Sequence, residues 1–112
     1  MEQKVLPVIF STNTLQCLEA IYEYGAEVFS PALAETFVLD LIQKCDDLDS
    51  TYMQHAECRF LPTKSKKYRM FTFVSYLVIY RIRDEHIEVL TIIHKSRSIS
   101  KIRAARRIKI SK

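Results

Sequence analysis

The chain has 112 residues, of which 48% are apolar and only one is glycine. This length suits a single domain with a modest core, and the composition excludes a low-complexity chain. The apolar stretch near the N-terminus is too short for a signal peptide, and no run reaches the length of a membrane span. We therefore expect a cytoplasmic protein that does not contact a membrane.

The formal net charge of +4 conceals an asymmetry between the two halves of the chain. Residues 1–58 carry two basic and ten acidic side chains, a net charge of −8. Residues 59–112 carry fifteen basic and three acidic ones, a net charge of +12. Lysine and arginine at this density indicate a basic surface that meets a polyanion or an acidic protein. The alternative is that two ordinary solvated faces fall in different halves of the chain.

The three cysteines, Cys17, Cys45 and Cys58, are too far apart for a metal knuckle, and their odd number argues against a disulfide framework. Cys17 and Cys45 fall at apolar positions of helical patterns, which predicts buried free thiols. We expect neither a metal nor a cofactor.

The chain begins with a short strand-like run followed by a helical pattern. Residues 5–10 are apolar, and Pro7 confines them to an edge strand or to a strand with an irregular start. Ser11 and the two residues after it offer N-cap oxygens, and apolar residues follow at helical spacing. Gly25 is expected to end or loosen this first helix.

A second helix is predicted to begin at Ser30, the N-cap, with Pro31 at the first helical position. Its apolar face continues to about Asp47, so the two helices form a hairpin. Residues 48–66 are polar and irregular and have no clear assignment.

Three runs in the second half have the β-branched and aromatic composition of strands: residues 68–73, 75–83 and 86–94. Apolar side chains occur on both faces of these runs, so at least one of the strands is expected to be central and buried. We therefore predict a meander of about three antiparallel strands.

A two-residue turn at Asp84 and Glu85 fixes the pairing of the last two strands. In that register Arg81 faces Glu88 and Leu77 faces Ile92. The opposite charges of Arg81 and Glu88 lie directly across from one another, which supports the register.

The predicted fold class is α+β: an N-terminal strand, a helical hairpin, and then an antiparallel β-meander of about three strands. The strands are predicted to form one sheet. Residues 1–97 would form the single domain, and residues 98–112 a basic C-terminal tail. Isoleucines are interspersed with the basic residues of the tail, so a short helix, a strand, or a segment that orders only on binding are all open.

The order of elements and several residues resemble the RelE/ParE toxin superfamily, whose members are toxins of type II toxin–antitoxin modules. The resemblance is strongest over residues 68–97. Members commonly have an arginine in the first strand of the meander, a Tyr-x-x-x-Tyr strand, an acidic turn, and a β-branched strand that ends in histidine with basic neighbours. The matching residues are Arg69, Tyr76, Tyr80, Asp84, Glu85, residues 87–93, His94, Lys95 and Arg97.

The resemblance implies a compact antiparallel sheet with the helical hairpin packed on it. It also implies a cognate antitoxin that wraps the toxin and covers its working face in a hetero-oligomer. A strongly basic half independently suits an acidic, partly disordered inhibitor.

Two activities divide the superfamily. RelE-like members cut ribosome-bound mRNA, using basic, histidine or tyrosine side chains to orient the 2′-hydroxyl, stabilise charge and protonate the leaving oxygen. ParE-like members act on DNA gyrase and block replication. If the chain is RelE-like, it is a ribonuclease whose candidate catalytic residues are Arg69, Tyr80, His94 and Arg97.

The ParE-like hypothesis is favoured by two positions. Many nuclease members have an arginine where this chain has Leu77, so one phosphate-binding cation is missing. The ending His-Lys-Ser-Arg at residues 94–97 is similar to the His-Gly-x-Arg ending of ParE-like toxins. RelE-like cleavage of mRNA remains the first alternative. A basic nucleic-acid-binding module without toxin activity is the second, although the chain lacks the usual motifs of such modules.

The residues expected to bind the target or a nucleic acid are Lys64, Lys66, Lys67, Lys95, Arg97, Lys101, Arg103, Arg106 and Arg107. Three of the candidate catalytic residues have simpler interpretations. Tyr80 suits a core aromatic whose hydroxyl is satisfied, His94 suits a structural role at a strand end, and Arg69 suits an ion pair with an acidic helix residue.

Overall fold

The computed structural model describes residues 4–96 and 99–110. Its elements are β1 (Val8–Phe10), α1 (Thr12–Val28), α2 (Pro31–Asp46), α3 (Leu48–Thr51), β2 (Tyr68–Phe73), β3 (Tyr76–Ile82), β4 (Ile87–His94) and α4 (Ile99–Ala104), followed by a 3-10 turn at Ala105–Arg107. The α+β prediction is confirmed: one strand, a helical hairpin and three antiparallel strands occur in that order.

Both long helices begin where the N-cap pattern predicts. The Ser11 hydroxyl accepts a hydrogen bond from the Thr14 amide at 2.9 Å. The Ser30 hydroxyl accepts one from the Leu33 amide at 3.1 Å, and Pro31 occupies the first turn of α2. These caps satisfy amides that lack intrahelical partners, so they fix the start of each helix.

Gly25 is predicted to end or loosen α1, and the first of these is wrong, because the helix continues to Val28 and the Phe29 amide donates to the Gly25 carbonyl at 2.9 Å. The glycine serves the packing of the hairpin instead. A Cβ atom at Gly25 would lie 3.1 Å from the Cβ of Ala34 in α2. Glycine therefore allows the two helices to approach closely at this point.

Gly25→Leu is expected to lower the free energy of unfolding by about 1–3 kcal/mol, because the added side chain must push α2 away. Urea denaturation measures the change. Glu23→Leu, at an exposed position of the same helix, is the matched control and should have little effect. Equal stability of the two variants would mean that the hairpin accommodates a side chain at Gly25.

The four strands form one sheet in the order β1-β4-β3-β2. The meander strands β2, β3 and β4 are antiparallel to one another, as predicted. Strand β1 pairs with β4 in parallel, so the sheet as a whole is mixed rather than purely antiparallel. Strand β4 is buried along almost its whole length, which confirms a central, buried strand.

The predicted register of β3 on β4 is right near the turn and wrong beyond it. Arg81 pairs with Glu88 as expected. Leu77 pairs with Ile93, one residue past its predicted partner, because Leu90 has no partner on β3. An extra residue on one strand is a β-bulge, and it shifts every later pair by one.

Two buried hydroxyl groups at the start of α1 donate hydrogen bonds to backbone carbonyls of β4 at this bulge. The Ser11 hydroxyl donates to the Leu90 carbonyl at 2.7 Å, and the Thr14 hydroxyl donates to the Val89 carbonyl at 2.9 Å. The same two residues that begin the helix therefore supply donors to carbonyls at the bulge, and this joins α1 to β4.

The sheet is covered on both faces. The helical hairpin packs on one face, over a core that includes Leu18, Leu41, Leu48, Val78 and Tyr80. On the other face, α4 and the segment before β2 cover a second core that includes Cys58, Leu61, Ile79, Ile93 and Ile102. The predicted tail thus contains a short helix that packs against the sheet.

The cysteine prediction is confirmed for Cys45, which is a buried free thiol, whereas Cys17 is only partly buried. Burial raises the pKa of Cys45 to about 12, and the neighbouring Asp46 carboxylate adds to the effect. Among the helices within residues 4–96 and 99–110, none has the length and apolarity needed to cross a membrane.

Candidate functional site

Arg69 holds the irregular segment between α3 and β2 in place. Its Nε atom donates to the Lys66 carbonyl at 3.1 Å, and its Nη1 atom donates to the carbonyls of Met53 at 3.2 Å and His55 at 2.9 Å. The guanidinium therefore binds backbone carbonyls of that segment, not the acidic helix residue that the simpler interpretation suggested. These contacts explain Arg69 as a structural residue without any bound substrate.

Tyr80 lies in the core beneath the helical hairpin. Its side chain has no exposed surface, and its hydroxyl donates to the Tyr52 carbonyl at 2.6 Å. Burial raises the pKa of Tyr80 well above its usual range, although the nearby Arg69 opposes the shift. A hydroxyl in this position is inaccessible to a substrate and stays protonated.

Tyr80→Phe is expected to lower the free energy of unfolding by about 1–3 kcal/mol, because the buried Tyr52 carbonyl loses its donor. Growth inhibition at a temperature where the variant is folded should be unchanged. Tyr24→Phe, at an exposed position, is the control for loss of a phenol and should alter neither quantity. A variant that is stable but no longer toxic would place the Tyr80 hydroxyl in the working site.

His94 is exposed at the end of β4. Its Nδ1 atom lies 2.8 Å from the Ser96 hydroxyl, and its ring meets the edge of Tyr76 with 5.4 Å between ring centroids. His94 pairs with Tyr76, whereas Arg69 pairs with Tyr80, four residues further along β3. Four residues of strand correspond to about 13 Å.

The three predicted catalytic residues that the structure describes, Arg69, Tyr80 and His94, are therefore not brought together at one exposed position. Arg69 and Tyr80 are neighbours, but the first binds carbonyls and the second is buried. His94 is exposed at the opposite end of β3 and β4. Arg97, the fourth candidate, lies outside the described residues.

A buried ion pair lies near the turn between β3 and β4. The Arg81 Nε atom is 2.5 Å from Glu88 Oε1, and only 4% and 5% of the two residues are exposed. Arg83 Nε also reaches Glu88 Oε1 at 3.2 Å, and His86 Nε2 lies 2.9 Å from Glu88 Oε2. Burial by itself raises the pKa of Glu88, but hydrogen bonds from His86 and Arg81, with the charges of Arg81 and Arg83, outweigh it and lower the pKa.

The remaining donors of Arg81 contact Tyr68 in β2 and two carbonyls after α4. Its Nη2 atom donates to the Ile108 carbonyl at 3.0 Å, and its Nη1 atom donates to the Arg106 carbonyl at 3.4 Å and to the Tyr68 hydroxyl at 3.3 Å. Arg81 therefore connects the sheet to residues that follow α4.

The sequence predicts the pairing of Arg81 with Glu88 but not its burial. One feature could have indicated it: Glu88 is the only charged residue within residues 87–93, in an otherwise almost entirely apolar strand. A buried carboxylate must be paired, so its partner must be buried with it.

Predicted target-binding residues lie directly before β2, in α4 and in the 3-10 turn that follows it. The Lys67 ammonium lies 5.6 Å from the centre of the Tyr68 ring, and the Arg81 guanidinium lies 5.7 Å from the same ring. Arg103 and Arg107, one helical turn apart, line a shallow depression beside Ile99. We use the name basic cluster for Lys67, Arg103, Arg106 and Arg107.

Of the other five predicted cations the structure describes four, and Arg97 lies outside the described residues. Lys64 and Lys66 are exposed in the loop before β2. Lys95 lines a groove beside Ile102, and Lys101 lines a second groove that includes His94. Within the described part of the chain, every salt bridge ends on Glu88, so none of these cations has an acidic partner.

Residues 8–99 match the family described as ParE toxin of type II toxin-antitoxin system, parDE. The chain therefore belongs to this family and is a ParE-like toxin of a type II toxin–antitoxin system. This confirms the resemblance to the RelE/ParE superfamily.

Two solved structures have a similar fold. One is the chromosomal ParDE toxin–antitoxin system from P. aeruginosa, with a TM-score of 0.67, 20% identity, and coverage of 80% of this chain and 96% of that one. The other is the RelBE2 toxin–antitoxin complex from Mycobacterium tuberculosis, with a TM-score of 0.57, 18% identity, and coverage of 86% and 100%. A comparison with curated proteins found no significant match in sequence.

Proposed function

We propose that this toxin inhibits growth by acting on DNA gyrase and blocking replication, and that the basic cluster contacts its target. The observation that supports gyrase over mRNA is the separation of the three candidate cleavage residues that the structure describes. General acid–base chemistry on RNA needs a cation and a proton donor within hydrogen-bond reach of the same phosphate. Arg69 is occupied by carbonyls, Tyr80 is buried, and His94 lies about 13 Å away along the strand.

The position held by Leu77 agrees with this proposal. Many nuclease members have an arginine there, and here the apolar side chain is partly buried against the second core. A binding mechanism needs no proton donor and no phosphate-binding cation at that position. It needs an exposed surface with a complementary charge, which the unpaired cations provide.

We also propose that a cognate antitoxin neutralises this toxin in a cytoplasmic hetero-oligomer. The two similar structures named above are of toxin–antitoxin systems, as their descriptions state. The absence of acidic partners for the exposed cations within residues 4–96 and 99–110 favours an antitoxin whose contacting segment is acidic.

Induced expression in a bacterial host tests the target. DNA synthesis and protein synthesis are followed separately by incorporation of labelled thymidine and labelled methionine. We expect DNA synthesis to stop first and cells to filament, and we expect purified toxin to alter the supercoiling reaction of purified gyrase. Early arrest of protein synthesis, with cleavage of ribosome-bound message, would contradict the gyrase proposal and support the RelE-like alternative.

Co-expression tests the antitoxin. The adjacent reading frame, if it encodes the antitoxin, should restore growth and co-purify with the toxin. Growth that is not restored would contradict the assignment of that frame as the antitoxin.

A further inference from the structure

We infer that Arg81 is a positioning residue of the toxin: its buried guanidinium fixes the C-terminal segment, residues 99–108, so that the arginines of the basic cluster lie on the same surface as Lys67. The inference rests on the proposed function, in which the basic cluster contacts the target.

The C-terminal segment is attached to the sheet in two different ways. Ile102 and Ala105 are buried in the second core, with 4% and 1% of their surface exposed. Beyond them, Arg81 donates to the carbonyls of Arg106 and Ile108, and the Ile108 side chain is partly buried against the same core. Carbonyls at the end of a helical segment lack intrahelical donors, so they need a partner from elsewhere in the molecule.

Arg81 is suited to this role because its own position is fixed. Glu88 holds the Nε side of the guanidinium, and the rigid fork then directs both Nη atoms toward the C-terminal segment. An ion pair that only stabilised the sheet would need no contact with Arg106 or Ile108. The contacts place the backbone of Arg106 against the sheet while its side chain is exposed.

Arg81 is also connected to Lys67, through Tyr68 and the backbone of β3. Tyr68 accepts a hydrogen bond from Arg81 and carries the Lys67 ammonium above its ring. The Lys67 carbonyl also accepts a hydrogen bond from the Ile82 amide at 2.8 Å, next to Arg81 in β3. Arg81 therefore contacts both the residue beneath Lys67 and the backbone that carries Arg106.

A paired substitution separates positioning from stability. In the variant Arg81→Met with Glu88→Leu, both buried charges are removed together, so neither is left without its partner. The carbonyls of Arg106 and Ile108 lose their donor. We expect hydrogen exchange of the amides of residues 105–110 to become about tenfold faster or more, with exchange in β3 and β4 nearly unchanged.

Arg83→Ala is the matched control for this experiment. Arg83 also contacts Glu88, but its side chain is 44% exposed and its one polar side-chain contact in the described residues is with Glu88. Exchange of residues 105–110 and growth inhibition should both match those of the unmodified toxin. Accelerated exchange in this control would assign the effect to the Glu88 network as a whole, which would overturn a specific role for Arg81.

The functional comparison uses the variant Arg103→Ala, Arg106→Ala, Arg107→Ala. This triple variant and the Arg81–Glu88 pair variant are each expected to lose part of the growth inhibition, measured at an expression level low enough that a residual effect is still seen. Because Arg81 acts through the arginines, combining all five substitutions should cause no further loss of toxicity. A larger loss in the combined variant would show a general effect on folding and would overturn the inference.

Two other results would overturn it: unchanged exchange at residues 105–110 in the pair variant, or faster exchange with full growth inhibition. These outcomes differ from failure of the gyrase proposal. If protein synthesis stops instead of DNA synthesis, the comparison of growth inhibition and exchange among the variants still holds.

Discussion

Glu88→Leu is expected to lower the free energy of unfolding by about 3–5 kcal/mol, because it leaves Arg81 buried without a counter-charge. Arg81 is only 4% exposed, so water cannot replace the lost carboxylate without opening the structure. Arg83 and His86 lose their partner as well, but both reach further into solvent. Urea denaturation of the two proteins at neutral pH measures the difference.

The same carboxylate makes stability depend on pH. The pKa of Glu88 in the folded protein lies below its ordinary value of 4.5, so the carboxylate stabilises the folded state fully above that value. This contribution is lost as the pH falls from about 4.5 through the folded-state pKa. Unmodified toxin should therefore lose more stability on acidification than Glu88→Leu, which has no such group.

Arg83→Ala serves as the control here too. The Arg83 side chain of this ion pair is 44% exposed, so its loss should cost less than about 1 kcal/mol. If Glu88→Leu costs no more than Arg83→Ala, the charge of Arg81 is satisfied by the carbonyls and Tyr68 alone. That result would remove Glu88 from the anchoring of the C-terminal segment.

The parts of the fold that the sequence predicts correctly depend on local chemistry. Ser11 and Ser30 are each followed by a helical pattern, and capping acts within one turn of the chain. The acidic turn and the opposite charges of Arg81 and Glu88 fix the start of the β3–β4 pairing. In each case the residues that interact are close in sequence or lie across a short turn.

The errors arise where the deciding contact is distant in sequence. The bulge at Leu90 depends on hydroxyls of Ser11 and Thr14, more than seventy residues earlier, and nothing within the strand indicates them. The pattern predicts that Gly25 ends or loosens a helix because glycine often does so, but the need for glycine comes from Ala34 on the other helix. A single sequence does not indicate which helix faces will meet.

The candidate site follows the same division. The residue types predict a basic surface, and in the described part of the chain Lys67, Arg103, Arg106 and Arg107 form no salt bridge. The chemistry of tyrosine, arginine and histidine was compatible with RNA cleavage, but burial and hydrogen bonding decide whether it is available. Tyr80 and Arg69 are chemically suitable, yet both are used to hold the fold.

Neutralising the basic cluster is expected to abolish growth inhibition without unfolding the protein. The variant carries Lys67→Gln, Arg103→Gln, Arg106→Gln and Arg107→Gln. Three of these side chains are exposed and Lys67 is partly exposed, and none forms a salt bridge, so the stability change should be small. Removing four positive charges from one surface should slow association with an oppositely charged target by about 10- to 1000-fold at low salt.

The control neutralises a comparable number of charges on the opposite side of the sheet: Glu19→Gln, Glu23→Gln and Glu27→Gln, all exposed on α1. Survival after induced expression, and association rates with gyrase as a function of salt, compare the two variants. Because screening weakens long-range attraction, unmodified toxin should lose its advantage over the neutralised variant as salt increases. Equal toxicity of the two variants would mean that the target contacts another surface, and the grooves that contain Lys95 and Lys101 would then be the next to test.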